Sequence, residues 1–235
     1  MKIDYQGRRF IRLSMLFLLA ILQHCGICQA NQDQWDTYFA SKLRNPPEQF
    51  IVSGLREIAT SGSGKVAIDL GCGIGHETKL LLQNKYKVIA VDANARALHY
   101  MMLLPGMAKY KSNLTTINSS FETLNFSNLP QVDLIISSFA LPFVPKQDFK
   151  RVWQNVIATI KPGGHIIVNL FDPNYEFYNN KDNMSFHTKS AALALFNDFN
   201  IIDFRVVKSA SLQQGENNLY YIIIAQKLPI LQNQH

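Results

Sequence analysis

A glycine-rich turn preceded by an acid is the part of this sequence whose residue types and spacing most directly indicate chemistry. The stretch VAIDLGCGIGHE covers residues 66–77, and Asp69 stands two positions before its first glycine. The glycines recur at every second position: Gly71, Gly73 and Gly75. Such a turn allows the backbone to approach a nucleotide-like ligand in conformations that a Cβ would block. The alternative is that the turn only joins a strand to a helix.

The spacing of the glycines separates two kinds of cofactor. A nicotinamide-dinucleotide turn has the pattern GxGxxG/A, in which the third small residue lets the helix pack closely on the strand. Counted from Gly71, that third position is occupied by His76, a poor fit. The turn therefore disfavours a dinucleotide, although an NAD(P)-dependent oxidoreductase stays an alternative.

A second acid follows the next predicted strand. Asp92 lies 21 residues after Gly71, where the chain should reach the carboxyl edge of a sheet. A carboxylate at that edge can accept hydrogen bonds from both hydroxyls of a ribose. The alternative role for Asp92 is to cap the helix that should begin near Ala95, and both roles can coexist.

These residues need a sheet to position them, and the hydrophobic pattern predicts one. Apolar runs bounded by turn residues fall at 65–70, 87–91, 114–117, 132–137 and 165–170. Helix-like segments fall at 47–60, near 76–84, near 94–104 and at 146–160. Strands rich in valine and isoleucine that alternate with helices predict a mostly parallel sheet with helices on both faces.

The C-terminal third has a different pattern. A predicted helix near 188–197 leads into two apolar runs, 201–208 and 219–226, which a short polar connection joins. Such a connection favours a hairpin, so the last strand should run antiparallel to the others. The predicted fold class is therefore α/β, a Rossmann-like sheet of seven strands with an antiparallel C-terminal hairpin.

Composition limits the size and the partners of the protein. The 235 residues are 47% hydrophobic, which suffices for one substantial core. The net charge is +6, of which residues 1–30 hold 4 − 1 = +3, leaving only +3 for the rest. So mild a charge predicts no nucleic-acid partner.

The first 30 residues are typical of a targeting segment. A basic stretch ends at Arg12, an apolar run covers 13–22, and the small Ala30 stands at a plausible cleavage point. The alternatives are an uncleaved membrane anchor over residues 11–28 and translation from Met15. The segment suggests export or membrane association, whereas a cofactor made in the cytosol would suggest a cytoplasmic location.

The motifs together resemble the class I methyltransferases that use S-adenosylmethionine. The family pattern is an acid, any residue and then GxGxG, which DLGCGIG satisfies, and the resemblance extends from about residue 35 to residue 227. It implies S-adenosylmethionine as cofactor, with an ammonium and a sulfonium that suit Asp69 and no pyrophosphate. It implies that Asp92 holds the ribose and Ala93 lies against the adenine, and that Ser120 and Phe121 read the adenine edge. Ser137 should face the methionine end.

A narrower resemblance concerns both ends of the domain. WDTYFASKLRNPPEQF at 35–50 and the loop ending in MSFHT are similar to small bacterial methyltransferases of the tellurite-resistance and thiopurine type. It implies that the N-terminal segment closes over the cofactor. The predicted organisation is then a signal or anchor at 1–30, a helical lid segment at 31–60, a methyltransferase domain at 61–227 and a tail at 228–235. The acceptor-binding candidates are Trp35, Tyr38, Phe143, Tyr175 and His187.

The resulting hypothesis is methyl transfer to a small molecule by in-line displacement, with water excluded and the acceptor about 3 Å from the methyl carbon. Pro142 and Phe143 replace a histidine pair that is common in the family, so no general base is assigned, and no metal is expected. A further alternative is an exported binding protein that keeps the fold without catalysis. The acceptor and the oligomeric state stay open.

Overall fold

A seven-stranded sheet forms the centre of the molecule. The computed structural model describes residues 45–175, 183–210 and 217–229. Within them the strands are β1 Val66–Leu70, β2 Lys87–Asp92, β3 Leu114–Asn118, β4 Val132–Ser137, β5 Ile160–Phe171, β6 Phe199–Ala210 and β7 Asn217–Lys227. Their order is β3-β2-β1-β4-β5-β7-β6; β7 pairs antiparallel with both β5 and β6, and the other strand pairs are parallel. The predicted fold class is confirmed.

Helices cover both faces of the sheet. They are α1 Gln49–Glu57, α2 His76–Gln83, α3 Ala95–Met102, α4 Lys146–Thr159 and α5 Lys189–Ala194, with short 3₁₀ turns at Met107–Asn113, Phe126–Asn128 and Leu141–Phe143. The apolar side chains of α1, α2 and α3 share one buried cluster with the sheet, and those of α4 join the other. Because both faces are covered, the central strands are apolar almost without interruption.

Helix α1 packs as one layer of this core. Ile51 is fully buried, and Gly54 lies so close to Ile167 and Ile224 that a Cβ there would come within 2.9 Å of Ile167. The rest of the predicted lid and the predicted leader, residues 1–44, lie outside the described residues, and so do Trp35 and Tyr38. Within the part of the chain that is described, no helix is long and apolar enough to cross a membrane.

Strand β5 begins earlier than the sequence pattern suggests. The turn-like segment KPGG, residues 161–164, stands directly before the apolar run at 165–170. In the structure β4 pairs with β5 on both sides of that segment, because Val132 lies opposite Ile160 and Leu134 lies opposite His165. Residues 161–164 therefore form a bulge within β5, where Gly163 has a φ of +77°.

The strand order creates a crevice between β1 and β4. These two strands are hydrogen-bonded neighbours, yet the chain leaves β1 towards β2 on one side and leaves β4 towards β5 on the other. In open α/β sheets, ligands bind outside the carboxyl ends of the strands at such a switch point. The loops that follow Leu70 and Ser137 form the two walls of this crevice.

Candidate active site

The glycine turn follows β1 directly at the crevice. The backbone N–H groups of Gly71 and Cys72 both donate to the carbonyl oxygen of Val91, at 2.8 and 3.0 Å, which fixes the turn against β2. The three glycines all have positive φ angles: Gly71 +76°, Gly73 +49° and Gly75 +83°. Residues that carry a Cβ rarely adopt this left-handed region, so the backbone conformation of the turn is by itself a reason for its glycines.

At two of the three glycines the missing side chain makes room for protein. A Cβ on Gly71 would lie 2.1 Å from the Cβ of Ala140, which follows β4. A Cβ on Gly75 would lie 2.2 Å from the Cγ of Met101, on α3. At these positions the glycines therefore also allow close packing within the protein. At Gly71 the turn packs on the loop after β4, and at Gly75 the start of α2 packs on α3. Their contact with the cofactor stays a prediction.

Asp69 is buried beneath the turn. Its carboxylate accepts a hydrogen bond of 2.6 Å from the hydroxyl of Thr78, on α2. Burial, and after it the nearby charge of Glu77, raises the pKa of Asp69 to about 8. The acid of the motif is thus held inside the protein by α2, and its protonation is sensitive to charge in the crevice.

Asp92 lies at the end of β2 and holds the glycine turn from the other side. One carboxylate oxygen accepts from the N–H of Gly73 and the other from the N–H of Asn94, both at 2.8 Å. Burial raises its pKa above the usual range. The cap of α3 is Asn94, whose side chain accepts from the N–H groups of Arg96 and Ala97. The alternative that Asp92 itself caps this helix is therefore wrong.

Asn118 is a residue of this edge that sequence reasoning missed. It ends β3 directly opposite Asp92, and its amide donates to the carbonyl oxygens of Asp92 and Ala93 at 3.0 and 2.9 Å. These bonds fix the backbone that carries the ribose-binding candidate, while Ala93 itself stays exposed. An asparagine at the end of a predicted third strand was the available signal.

Ser120 and Phe121, which are predicted to contact the edge of the adenine, follow β3 beside the end of β2. Ser119 donates its N–H to the carbonyl of Asp92 at 3.0 Å, so the loop after β3 adjoins the end of β2. The hydroxyl of Ser120 lies 3.0 Å from that of Thr123. The ring tip of Phe121 lies 3.4 Å from the position that a Cβ on Gly71 would take. The predicted cofactor residues from three strands are thus neighbours.

Ser137 differs from its predicted role in the direction of its side chain. It is fully buried, and its hydroxyl donates to the carbonyl oxygen of Leu70 at 3.0 Å. This bond joins the carboxyl ends of β4 and β1. The hydroxyl is thus engaged in fixing the walls of the crevice.

An aromatic cluster lies at the ends of β4 and β5. Tyr175 stacks on Phe171 with ring centroids 3.7 Å apart, and Phe143 lies 6.2 Å from the same ring. Phe139 and Tyr220 complete the cluster from the loop after β4 and from β7. Two predicted acceptor-binding residues, Phe143 and Tyr175, are therefore brought together around a residue that the sequence did not single out.

His187 is directed elsewhere. Its backbone N–H donates to the carbonyl of Phe171, but its ring packs on Phe149 of α4 with ring centroids 4.4 Å apart. It lines a groove of about 530 Å³ on the α4 side of the sheet. Burial lowers its pKa to about 4, and its Nδ1 has no hydrogen-bond partner among the described residues. His187 is therefore a neutral ring that lies apart from the pair Phe143 and Tyr175.

A buried hydrogen-bond network fixes the turn that carries Tyr175. Asp172 accepts from the hydroxyl of Tyr221 and from the backbone and side-chain N–H groups of Asn174. Its own carbonyl accepts from the N–H of Tyr175 at 2.9 Å. Asp172 and Tyr221 are both almost completely buried, so this network holds the end of β5 in one conformation.

The residues of the crevice fit a cationic nucleoside. Each oxygen of the Asp92 carboxylate accepts one N–H and keeps a lone pair for a ribose hydroxyl. Glu77 adds negative charge beside the turn, and a bound ammonium or sulfonium would favour the ionised form of Asp69. Among residues 45–175, 183–210 and 217–229, no group of three or more histidine, cysteine or acidic side chains is arranged to hold a metal ion.

Comparison with known proteins agrees with this geometry. Residues 67–164 match a family model described as a methyltransferase domain. No curated protein matches the chain significantly. Solved structures with the same fold include TehB from Haemophilus influenzae, with a TM-score of 0.64 and 16% identity over 82% of this chain and 67% of that one.

Two further structures share the fold. The 1,6-didemethyltoxoflavin-N1-methyltransferase of Burkholderia thailandensis has a TM-score of 0.63 and 14% identity, with 90% of each chain covered. The N-methyltransferase NodS of Bradyrhizobium japonicum, in complex with S-adenosylhomocysteine, has a TM-score of 0.60 and 15% identity over 79% of this chain and 90% of that one.

The fold is that of class I methyltransferases. Residues 67–164 match their methyltransferase domain, whose cofactor is S-adenosylmethionine. The crevice between β1 and β4, with the glycine turn on one side and the loop after β4 on the other, is the candidate site for that cofactor.

Proposed function

We propose that this protein transfers a methyl group from S-adenosylmethionine to a small molecule that binds beside the aromatic cluster. The observation that carries the proposal is the adjacency of two walls at one crevice. The glycine turn and Asp92 form the cofactor side. Phe143 and Tyr175 belong to a cluster that also contains Phe139, the neighbour of the residue that touches Gly71.

The aromatic cluster supports a small and largely apolar acceptor. Rings supply a large contact area at a low cost in conformational entropy, and they exclude water from the reaction. The fold relative from Burkholderia thailandensis holds a flat heteroaromatic acceptor, 1,6-didemethyltoxoflavin, and its fold covers 90% of this chain. An acceptor with a flat apolar portion is consistent with both observations.

Two of the described titratable groups bear on the chemistry that the acceptor must bring: Tyr220 belongs to the cluster, and His187 lies on the α4 side of the sheet. His187 has a pKa of about 4 because it is buried, so it is a weak base near neutral pH. Burial, and after it the charge of Glu48, raises the pKa of Tyr220 above 10, so its phenol keeps its proton. The bound cofactor supplies the activated methyl group, and these side chains supply no strong base. We therefore infer that the acceptor is nucleophilic as it binds, as a thiolate, an amine or a soft anion is.

The cofactor assignment is tested by calorimetry with S-adenosylhomocysteine. The full chain should bind it, and Asp92→Ala should weaken binding by about 2–4 kcal/mol because two charge-assisted hydrogen bonds to the ribose are lost. Asp133→Ala is a matched control, because Asp133 also accepts a backbone N–H, from Val66, but lies on β4 at the opposite end of the sheet. Equal affinities of wild type and Asp92→Ala would show that the ribose assignment is wrong.

The acceptor is tested by a release assay. Production of S-adenosylhomocysteine is measured over a panel of thiols, amines, carboxylates and metalloid oxyanions. Release of S-adenosylhomocysteine with one of these classes, and none with the others, would identify the acceptor chemistry. Binding of NADH without binding of S-adenosylhomocysteine would contradict the proposal as a whole.

A further inference from the structure

Asn169 is a polar side chain in the middle of the apolar core, and its place there needs a reason. It lies on β5 between Val168 and Leu170 and is fully buried. Its Oδ1 accepts a hydrogen bond of 2.6 Å from the backbone N–H of Phe139. Its Nδ2 has no partner among the described residues. Because an unpaired buried amide is costly, the benefit of this asparagine must lie at its oxygen.

The direction of the amide follows from its partner. Phe139 presents an N–H, which can only donate, so the atom facing it must be the oxygen of Asn169 and not the nitrogen. The side chain thus acts as an acceptor for the loop after β4. Its two N–H groups have no acceptor among the described residues.

The bond falls on a strained residue. Phe139 has a φ of +49°, in the left-handed region that side chains other than glycine rarely adopt. Holding a residue there costs free energy and requires that the surroundings enforce it. The hydrogen bond that Phe139 donates to Asn169, together with ring contacts to Phe50 and Tyr220, enforces this φ angle.

The strained residue sets the position of its neighbour. Ala140 follows Phe139 directly, and it is the residue whose Cβ occupies the space beside Gly71. A chain of contacts therefore leads from β5 through the loop after β4 to the first glycine of the cofactor turn. Both contacts are close. The backbone nitrogen of Phe139 lies 2.6 Å from Oδ1 of Asn169, and a Cβ on Gly71 would lie 2.1 Å from the Cβ of Ala140.

We propose that Asn169 is a positioning residue for methyl transfer, which holds the Phe139–Ala140 loop against Gly71 and thereby shapes the end of the crevice that receives the methionine part of the cofactor. This inference rests on the proposed function, because it assigns a role in the same site. It does not concern the adenosine end, which Asp92 and Asn118 hold independently.

The test compares two ligands that differ only in the amino-acid part. S-adenosylhomocysteine carries that part, and 5′-methylthioadenosine lacks it. Asn169→Leu, which keeps the volume and removes the acceptor oxygen, should weaken S-adenosylhomocysteine about tenfold or more and 5′-methylthioadenosine less than about twofold. Asn169→Asp, which keeps an oxygen for the N–H of Phe139, should bind both ligands within about threefold of wild type.

A matched control separates this role from a general loss of stability. Val168→Ala alters the adjacent, equally buried residue of β5, whose side chain belongs to the cluster on the opposite face. It should lower the unfolding midpoint and leave the ratio of the two affinities unchanged. If Asn169→Leu changes both affinities in the same proportion, or changes neither, the positioning role is overturned while the cofactor assignment stands. If wild type binds neither ligand, the proposed function fails and this inference fails with it.

A second pair of variants applies if Asn169→Leu does not fold. Phe139→Gly and Phe139→Ala remove the same ring, but only glycine accepts a φ of +49° without strain. If Asn169 acts by enforcing that φ, Phe139→Ala should bind S-adenosylhomocysteine more weakly than Phe139→Gly, with equal affinities for 5′-methylthioadenosine. Equal affinities of both variants for both ligands would overturn the proposal.

Discussion

Replacement of Gly71 by alanine tests the contact between the two walls of the crevice. Two separate costs are expected. The φ of +76° costs about 1–2 kcal/mol for a residue with a Cβ. The new Cβ would also lie 2.1 Å from the Cβ of Ala140, and relieving so close a contact in a packed region costs about a further 1–3 kcal/mol.

The chain offers a control that carries only the first cost. Gly64 has a φ of +75°, and a Cβ there would meet nothing within 4 Å. Gly64→Ala should therefore lower the free energy of unfolding by about 1–2 kcal/mol, and Gly71→Ala by about 2–5 kcal/mol. Urea unfolding followed by circular dichroism measures both variants against wild type.

The packing term is isolated by a double-mutant cycle with Ala140→Gly. Removing the Cβ of Ala140 leaves its Cα, 3.6 Å away, as the nearest atom of that residue. The double variant should recover about 1–3 kcal/mol relative to the sum of the single variants, while the φ cost stays. A coupling energy near zero, or equal losses for Gly71→Ala and Gly64→Ala, would refute the contact.

Two further predictions concern buried acids. Burial raises the pKa of Asp69 to about 8 from 3.8, so the folded state favours its protonated form, and the resulting stability is complete below pH 4 and lost as the pH rises towards 8. Urea unfolding at pH 5 and pH 8 should therefore show wild type losing stability relative to Asp69→Asn, and a constant difference would contradict the shifted pKa. Tyr221→Phe leaves the buried Asp172 without one of its donors and should cost about 1–3 kcal/mol. Tyr86→Phe removes a hydroxyl that shares a hydrogen bond with the neutral hydroxyl of Thr60. It is the control and should cost less; equal losses would count against the network.

The fold could be predicted from the sequence because its signals are local. Each central strand is a short run of valine and isoleucine bounded by turn residues, and each helix has its own apolar period. The acid and the glycines of residues 69–75 are adjacent in the chain, so their spacing alone indicates the kind of cofactor. Asp92 could be placed because it ends a strand that the same pattern defines.

The other half of the site depends on contacts between distant residues. Phe139 and Asn169 are 30 positions apart, and nothing in either local pattern indicates that one binds the other. Asn118 meets Asp92 only because β3 lies beside β2 in a given register. His187 shows the opposite case, since its place in an aromatic loop suggested the acceptor site, whereas its ring packs on Phe149 of α4.

One contact at the start of the described chain has a practical consequence. The backbone N–H of Glu48, just before α1, donates to the carboxylate of Glu77 at 2.8 Å, and Glu77 lies in the first turn of the helix that follows the glycine turn. The chain thus enters the domain within one hydrogen bond of the cofactor site. An environment-sensitive fluorophore attached at the exposed Asn45 would therefore sit close enough to signal occupancy of the crevice. The protein could then be titrated with cofactor analogues optically, before its acceptor is known.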